Sequence, residues 1–186
     1  MSPAPPRILL VGGARSGKSR LAIELATTWD EPIAFVATAT AGDADMAARI
    51  DRHRAERSPA WETVEAPADL TVAVDNIDPE LGIVIDCITM WVANEMLGGA
   101  TAAVITAAAH ALAATLVSRP APAIVVTNEV GSGVVPSTVS GREFRDLLGG
   151  VNRVLADRLD VTYLVVAGQV AELQRPGSAF PGLDRS

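Results

Sequence analysis

The stretch Gly12-Gly13-Ala14-Arg15-Ser16-Gly17-Lys18-Ser19 fits the pattern G-x-x-x-x-G-K-[ST] at every fixed position. The spacing has a physical reason. Glycines let the backbone curl until successive N–H groups point inward, and the resulting nest opens onto the N-terminus of the next helix, where anions are favoured. A lysine here reaches the β- and γ-phosphates of a nucleotide as a point charge, and the following hydroxyl is placed to ligate Mg²⁺. Both flanks agree with this reading. Ile8-Leu9-Leu10-Val11 has the character of a buried strand, and Leu21, Ile23, Leu25 and Ala26 follow on a helix. A chance glycine-rich turn would not bring strand, loop and helix into register. Gly12, Gly13, Ala14, Arg15, Ser16, Gly17, Lys18 and Ser19 are therefore the candidate nucleotide-binding residues of a phosphate-binding loop (P-loop), with Lys18 also catalytic and Ser19 a candidate Mg²⁺ ligand.

Away from that loop, short β-branched runs alternate with helical stretches, which predicts an α/β fold with a mainly parallel sheet flanked by helices. Strands are predicted over 7–11, 33–37, 83–86, 124–127 and 161–166, with a shorter peripheral one over 61–64. The five main runs are near-continuously apolar, as expected for strands covered on both faces. Helices are predicted over 18–29, 43–57, 68–76, 89–97, 101–118 and 142–159. In the last, Phe144, Leu147, Leu148, Val151, Val154, Leu155 and Leu159 recur at helical spacing. Without an internal repeat or linker, residues 1–186 are expected to form a single P-loop catalytic domain, with Pro/Gly-rich segments 1–6 and 176–186 as flexible tails.

Aromatic residues make up only 4% of the chain, so its core must be mostly aliphatic. The net charge of −7 speaks against a nucleic-acid binder, which carries a basic face, but allows a locally positive nucleotide site. Cys87 is the only cysteine, which excludes an intramolecular disulfide and a cysteine metal cluster. Segment 101–117 is apolar, but it is Ala-dominated, carries His110 and sits at the short end of the ~17–25 residues a membrane span needs. It is read as a largely buried helix rather than a span. The segment 1–6 lacks the basic stretch and long apolar run of a signal peptide, so a cytoplasmic location is expected.

A P-loop needs an acidic partner for its metal. Ile83-Val84-Ile85-Asp86 supplies one, with Asp86 at the carboxyl end of an apolar strand, where ligands sit in open α/β sheets. The plainer role for Asp86 is a strand-ending cap on the helix that follows. A second candidate is His53. Arg49, His53 and Arg57 are spaced i, i+4, i+8 and line one side of the predicted helix, with Met46 and Ile50 placed to hold it against the body. Neighbouring guanidiniums favour the neutral, nucleophilic imidazole. Such an imidazole can attack a nucleotide α-phosphate and form a phosphoramidate. The same spacing also suits a solvated face balanced by Asp45, Asp51 and Glu56, and residue chemistry alone favours that reading.

Several further stretches stand in order along the chain: Asp45-Met46-Ala47-Ala48-Arg49-Ile50 leading to His53, Arg57 and Trp61-Glu62-Thr63-Val64-Glu65; Ile85-Asp86-Cys87-Ile88-Thr89-Met90-Trp91-Val92-Ala93-Asn94; and Thr127-Asn128-Glu129-Val130-Gly131-Ser132-Gly133-Val134-Val135-Pro136. Arg142-Glu143-Phe144-Arg145-Asp146, Gly149, Asn152 and Val165-Val166-Ala167-Gly168 follow. Together with the P-loop, this set resembles the bifunctional adenosylcobinamide kinase/adenosylcobinamide-phosphate guanylyltransferases of cobalamin biosynthesis, over about residues 8–168. The ending Gln169-Val170-Ala171-Glu172-Leu173-Gln174 departs from the Leu-Pro-rich pattern usual after Ala-Gly.

The resemblance implies a RecA-like P-loop core and two reactions. ATP or GTP would phosphorylate adenosylcobinamide, a corrinoid; GTP would then donate GMP to that phosphate through a covalent guanylyl-histidine. His53 falls at the guanylylated position, which reverses the plainer reading of its helix. Arg49, Arg57, Glu65 and Asp86 carry over as nucleotide-site residues, Ser19 and Asp86 as the Mg²⁺ site, and the family implies a homotrimer. Glu129 is a candidate for substrate or nucleotide contact, or for loop shaping. A P-loop kinase with one activity on another small molecule would share Lys18, Ser19 and Asp86 but have no use for His53. A nucleotide-dependent switch is disfavoured by Glu129 standing where a guanine-reading N-K-x-D motif has lysine.

Overall fold

The computed structural model describes residues 6–29, 32–40, 54–55 and 57–179. Seven strands, β1 (Arg7–Gly12), β2 (Ile33–Ala37), β3 (Glu62–Glu65), β4 (Gly82–Asp86), β5 (Ala123–Asn128), β6 (Val161–Val166) and β7 (Gln169–Leu173), form one sheet in the order β3-β2-β4-β5-β1-β6-β7. All neighbours are parallel except β6 and β7. The helices are α1 (Lys18–Ala26), α2 (Leu70–Asp75), α3 (Ile88–Leu97), α4 (Ala102–Ser118), α5 (Val139–Arg158) and the short α6 (Pro176–Ala179).

Side chains alternate across each strand and feed two apolar layers. Leu9, Val11, Ile83, Ile85 and Val125 pack with Leu70 of α2, Trp91 of α3, Leu112 of α4 and Leu148 and Leu155 of α5. Ile8, Leu10, Phe35, Val84, Ile124 and Val126 pack on the other side with Ala22, Ile23 and Ala26 of α1. Asp86 is two residues beyond Val84, so its side chain leaves β4 on the α1 side of the sheet.

Where the described residues cover them, the predicted strands and helices recur with small shifts at their ends. Helix α5 starts earlier than expected because Thr138 caps it, accepting a hydrogen bond from Gly141 N at 3.1 Å. Helix α1 ends at Ala26, short of the expected 29. Of the helix predicted over 43–57, only Arg54 and Ala55 are described as helical, and the rest up to residue 53 lies outside the described residues.

Two differences are larger. Strand β6 is only half-buried rather than covered on both faces, and it continues into β7, where the sequence pattern holds no element. Every residue of β7 is exposed, so no apolar run marks it; the chain is turned by Ala167 and Gly168, both at positive φ (51 and 75) as a tight type I′ hairpin requires. Helix α4 buries only one side, through Ile105, Ala109, Leu112, Ala113 and Leu116, and leaves His110 exposed. Among the described residues no helix is long and apolar enough to cross a membrane.

Candidate active site

The P-loop leaves the carboxyl end of β1 and curls into α1. Gly17 at φ 99 and Arg15 at φ 56 supply the left-handed turns, and Lys18 opens the helix. The Lys18 side chain is buried, and its Nζ donates to Gly12 O at 2.8 Å, Gly13 O at 2.7 Å and Ser16 Oγ at 3.3 Å. Gly12 is glycine for a reason the motif does not state. A Cβ there would lie 2.2 Å from the Val165 carbonyl oxygen, because β1 and β6 run too close for a side chain.

Neighbouring strand ends hold this loop. Glu129 N donates to Gly12 O at 3.0 Å, and Gly168 N, in the β6–β7 turn, donates to Ser16 O at 2.9 Å. The carboxyl ends of β1, β5 and β6 thus grip the loop from beneath, at the end of the sheet where α/β proteins bind ligands. Asp86, at the same end of β4, is followed by Cys87, whose thiol is pushed up to about 11 by burial and by the Asp86 carboxylate, with Lys18 opposing. Lys18 and Asp86 therefore share one electrostatic neighbourhood.

Arg57 approaches from the other edge. Its guanidinium carbon stands 3.5 Å over the Phe35 ring, and Phe35 stacks on Trp61 with centroids 6.4 Å apart at 18°. Burial lowers the Arg57 pKa, Arg54 adds to that, and Asp86 and Glu65 pull the other way. Its Nε is buried without a hydrogen-bond partner among the described residues. A buried cationic donor of this kind is suited to an anionic oxygen. Glu65, by contrast, is exposed and paired with Arg54 at 2.7 Å. The structure brings the P-loop, Asp86 and Arg57 together and puts Glu65 at their rim; Arg49 and His53 lie outside the described residues.

Glu129 shapes its loop. Its Oε1 accepts from Gly131 N at 2.6 Å and its Oε2 from Ser132 N at 3.1 Å. Although burial works against it, these bonds and one to the Ser132 side chain hold its carboxyl below the usual glutamate range. The stack of Phe35 and Trp61 under Arg57 is absent from the sequence reading. Its only local signal is the i, i+4 spacing of Arg57 and Trp61.

Among the described residues no group of three or more His, Cys, Asp or Glu could hold a metal alone. Mg²⁺ does not require one. It takes hard oxygen ligands, keeps several waters and is held by one or two protein groups plus substrate phosphates. The Ser19 hydroxyl and Asp86 carboxylate fit that donor set.

A family model described as cobinamide kinase / cobinamide phosphate guanyltransferase matches residues 8–173. The chain is 38% identical over 164 residues to the bifunctional adenosylcobalamin biosynthesis protein CobP of Pseudomonas aeruginosa, covering 87% of this chain and 94% of the relative. It is 38% identical over 174 residues to CobU of Escherichia coli K12 and 39% over 175 to CobU of Salmonella typhimurium; each match covers 87% of this chain and 96% of the relative, and both bear the same bifunctional description. Among solved structures, an ATPase from the type III secretion system of pathogenic bacteria superposes with TM-score 0.58 at 12% identity, covering 96% of this chain and 55% of that one. The assembled ATPase EscN from enteropathogenic Escherichia coli gives 0.58 at 12%, covering 88% and 43%. These two likenesses are of fold alone, and this chain spans about half the length of either.

Proposed function

The chain belongs to the cobinamide kinase / cobinamide phosphate guanyltransferase family, and on that premise we propose that it performs both reactions on adenosylcobinamide. The observation that carries the reading is the match over residues 8–173, which includes the complete loop Gly12–Ser19 with its buried lysine. In the first step the γ-phosphoryl group of ATP or GTP passes to the aminopropanol hydroxyl of adenosylcobinamide; the hydroxyl loses its proton and the nucleoside diphosphate leaves. In the second, His53 attacks the α-phosphorus of GTP and pyrophosphate leaves. The phosphate of adenosylcobinamide phosphate then breaks the P–N bond, giving adenosylcobinamide-GDP and restoring the imidazole.

The P-loop amides and Lys18 hold the triphosphate. Arg57, whose buried Nε has no hydrogen-bond partner among the described residues and lies beside Asp86, and Arg49 hold phosphate oxygens, and Glu65 borders the nucleotide site through its bridge to Arg54. Ser19 and Asp86 hold Mg²⁺, which neutralises phosphate charge when bound. The protein works in the cytoplasm as a single-domain subunit of a homotrimer, without a nucleic-acid or membrane partner; light scattering at the monomer mass would remove the trimer.

The test is to mix the protein with Mg²⁺ and α-phosphate-labelled GTP, denature it and follow the label. The expected outcome is label on the protein, lost in acid, stable in base and absent from His53→Ala. No label on folded protein that still phosphorylates a corrinoid would leave only a P-loop kinase.

A further inference from the structure

The apolar stripe of α5 contains one residue that does not belong in a stripe. Asn152 lies beside Leu148, Val151 and Leu155, all fully buried, and both ends of its amide are in use. Its Oδ1 accepts from Thr127 Oγ1 at 2.7 Å, and its Nδ2 donates to the Asn128 carbonyl at 2.9 Å. Asn128 N donates in turn to Thr89 Oγ1 at 2.7 Å, and the two threonine hydroxyls lie 3.4 Å apart. Thr127 gives its one proton to Asn152, so Thr89 is the donor across that last gap. Two buried threonines and two half-buried asparagines from β5, α3 and α5 thus close a ring of hydrogen bonds at the margin of the packed layer.

The ring sits where the phosphate site is braced. Asn128 pairs in register with Gly12, and the next residue, Glu129, donates its N–H to Gly12 O. That same carbonyl accepts from Lys18 Nζ. Thr89 stands three residues past Asp86, in the first turn of α3. The Asn128 backbone is therefore gripped at its N–H by the helix following Asp86 and at its C=O by α5, and its next amide fixes the carbonyl on which Lys18 rests.

A leucine at 152 would continue the stripe. An amide in its place specifies one orientation of the β5 tip, since a polar network anchored on buried hydroxyls specifies a unique geometry when every member is satisfied, as here. We propose that Asn152 is a positioning residue for phosphoryl transfer: through the ring with Thr127, Asn128 and Thr89 it sets the Gly12 carbonyl, and so Lys18, relative to Asp86. This rests on the P-loop being the nucleotide site of the proposed kinase.

The experiment compares Asn152→Asp, Asn152→Leu, Thr127→Val and Thr127→Ser with the parent protein. Asp keeps the acceptor but loses the donor, Leu keeps only the shape, Val removes the hydroxyl, and Ser restores it. The first three are expected to lower kcat of the phosphorylation step by roughly 10- to 100-fold, the scale of a ~1 Å misplacement. Nucleotide KM should stay within about twofold in all four, and Thr127→Ser should match the parent. In nucleotide-free Asn152→Asp, amide hydrogen exchange should quicken in peptides spanning 12–19 and 127–133 and nowhere else.

A folded, fully active Asn152→Leu would overturn the proposal. So would exchange that quickens evenly across the sheet, since that marks a merely structural amide. A parent protein with no nucleotide-dependent phosphorylation, but with the ring-dependent exchange pattern intact, would sink the kinase reading and not the brace.

Discussion

At the scale of single residues, the site contains one cysteine in a position that invites misreading. Cys87 follows Asp86 directly and lies near Lys18, a setting in which a cation could make a thiol reactive. Burial and the Asp86 carboxylate outweigh that cation and push the thiol up to about 11. The acid form is therefore favoured, and the thiolate is scarce until the pH is well above neutral. At pH 8 a thiol at about 11 is ionised roughly one part in 10³, against roughly one in four for an ordinary cysteine, so alkylation in the native protein should run at least 100-fold slower than after unfolding. Iodoacetamide kinetics followed by mass spectrometry check this; equal rates would mean that the carboxylate and burial do not govern Cys87. Lys18 shows the opposite arrangement, a buried amine whose Nζ is satisfied by two carbonyls and a hydroxyl and so directed into its own loop.

At the scale of elements, the strand pairing makes a sharp demand at Gly12. An added Cβ would meet the Val165 backbone oxygen, which has no rotamer by which to escape, so β1 and β6 would have to part. Gly12→Ala should cost about 2–3 kcal/mol, the upper range for overpacking, and lower Tm by roughly 5–10 °C in a domain of this size. At Gly13 a Cβ would meet nothing within 4 Å among the described residues, so Gly13→Ala should leave Tm within about 1 °C. Differential scanning calorimetry on the pair decides, and equal melting would refute the close-approach account. The elements also show what a sequence can reveal. Inner strands such as Ile83-Val84-Ile85 were legible because burial on both faces leaves a continuous apolar run. β7 was not, since an exposed edge strand carries no such run and depends on a hairpin turn. The P-loop was legible because its chemistry is local in the chain. The Arg57–Phe35–Trp61 stack and the Asn152 ring were not, because each needs partners that only the folded sheet brings together. Glu129 lay between these cases: its spacing allowed either role, and the amides of Gly131 and Ser132 distinguish loop shaping.

At the scale of the whole molecule, the proposed nucleotide site is not an appendage to the sheet. The loop is tied to β5 through Glu129 and to the β6–β7 turn through Gly168, while Asp86 ends β4, so a ligand held there contacts elements from the centre of the sheet outward. A ligand that binds only the folded chain stabilises it by RT ln(1 + [L]/Kd), about 2.7 kcal/mol at a hundredfold excess over Kd. For a domain of this length each kcal/mol is worth about 2–4 °C, so a saturating Mg²⁺-nucleotide should raise Tm by roughly 5–11 °C. The ligand should be a GTP analogue with methylene bridges at both phosphate linkages, so that neither transfer can occur and binding alone is read. The shift should need Mg²⁺ and disappear with EDTA if Ser19 and Asp86 share a metal with the phosphates. It should shrink strongly in Lys18→Ala, where the nest loses its point charge. The site's ties across the sheet also predict that the transition moves as one, with circular dichroism and tryptophan fluorescence giving the same midpoint with and without ligand. A shift that persists undiminished in Lys18→Ala would move the nucleotide off the P-loop, and a shift seen by only one probe would mean that the ligand orders a local segment rather than the sheet.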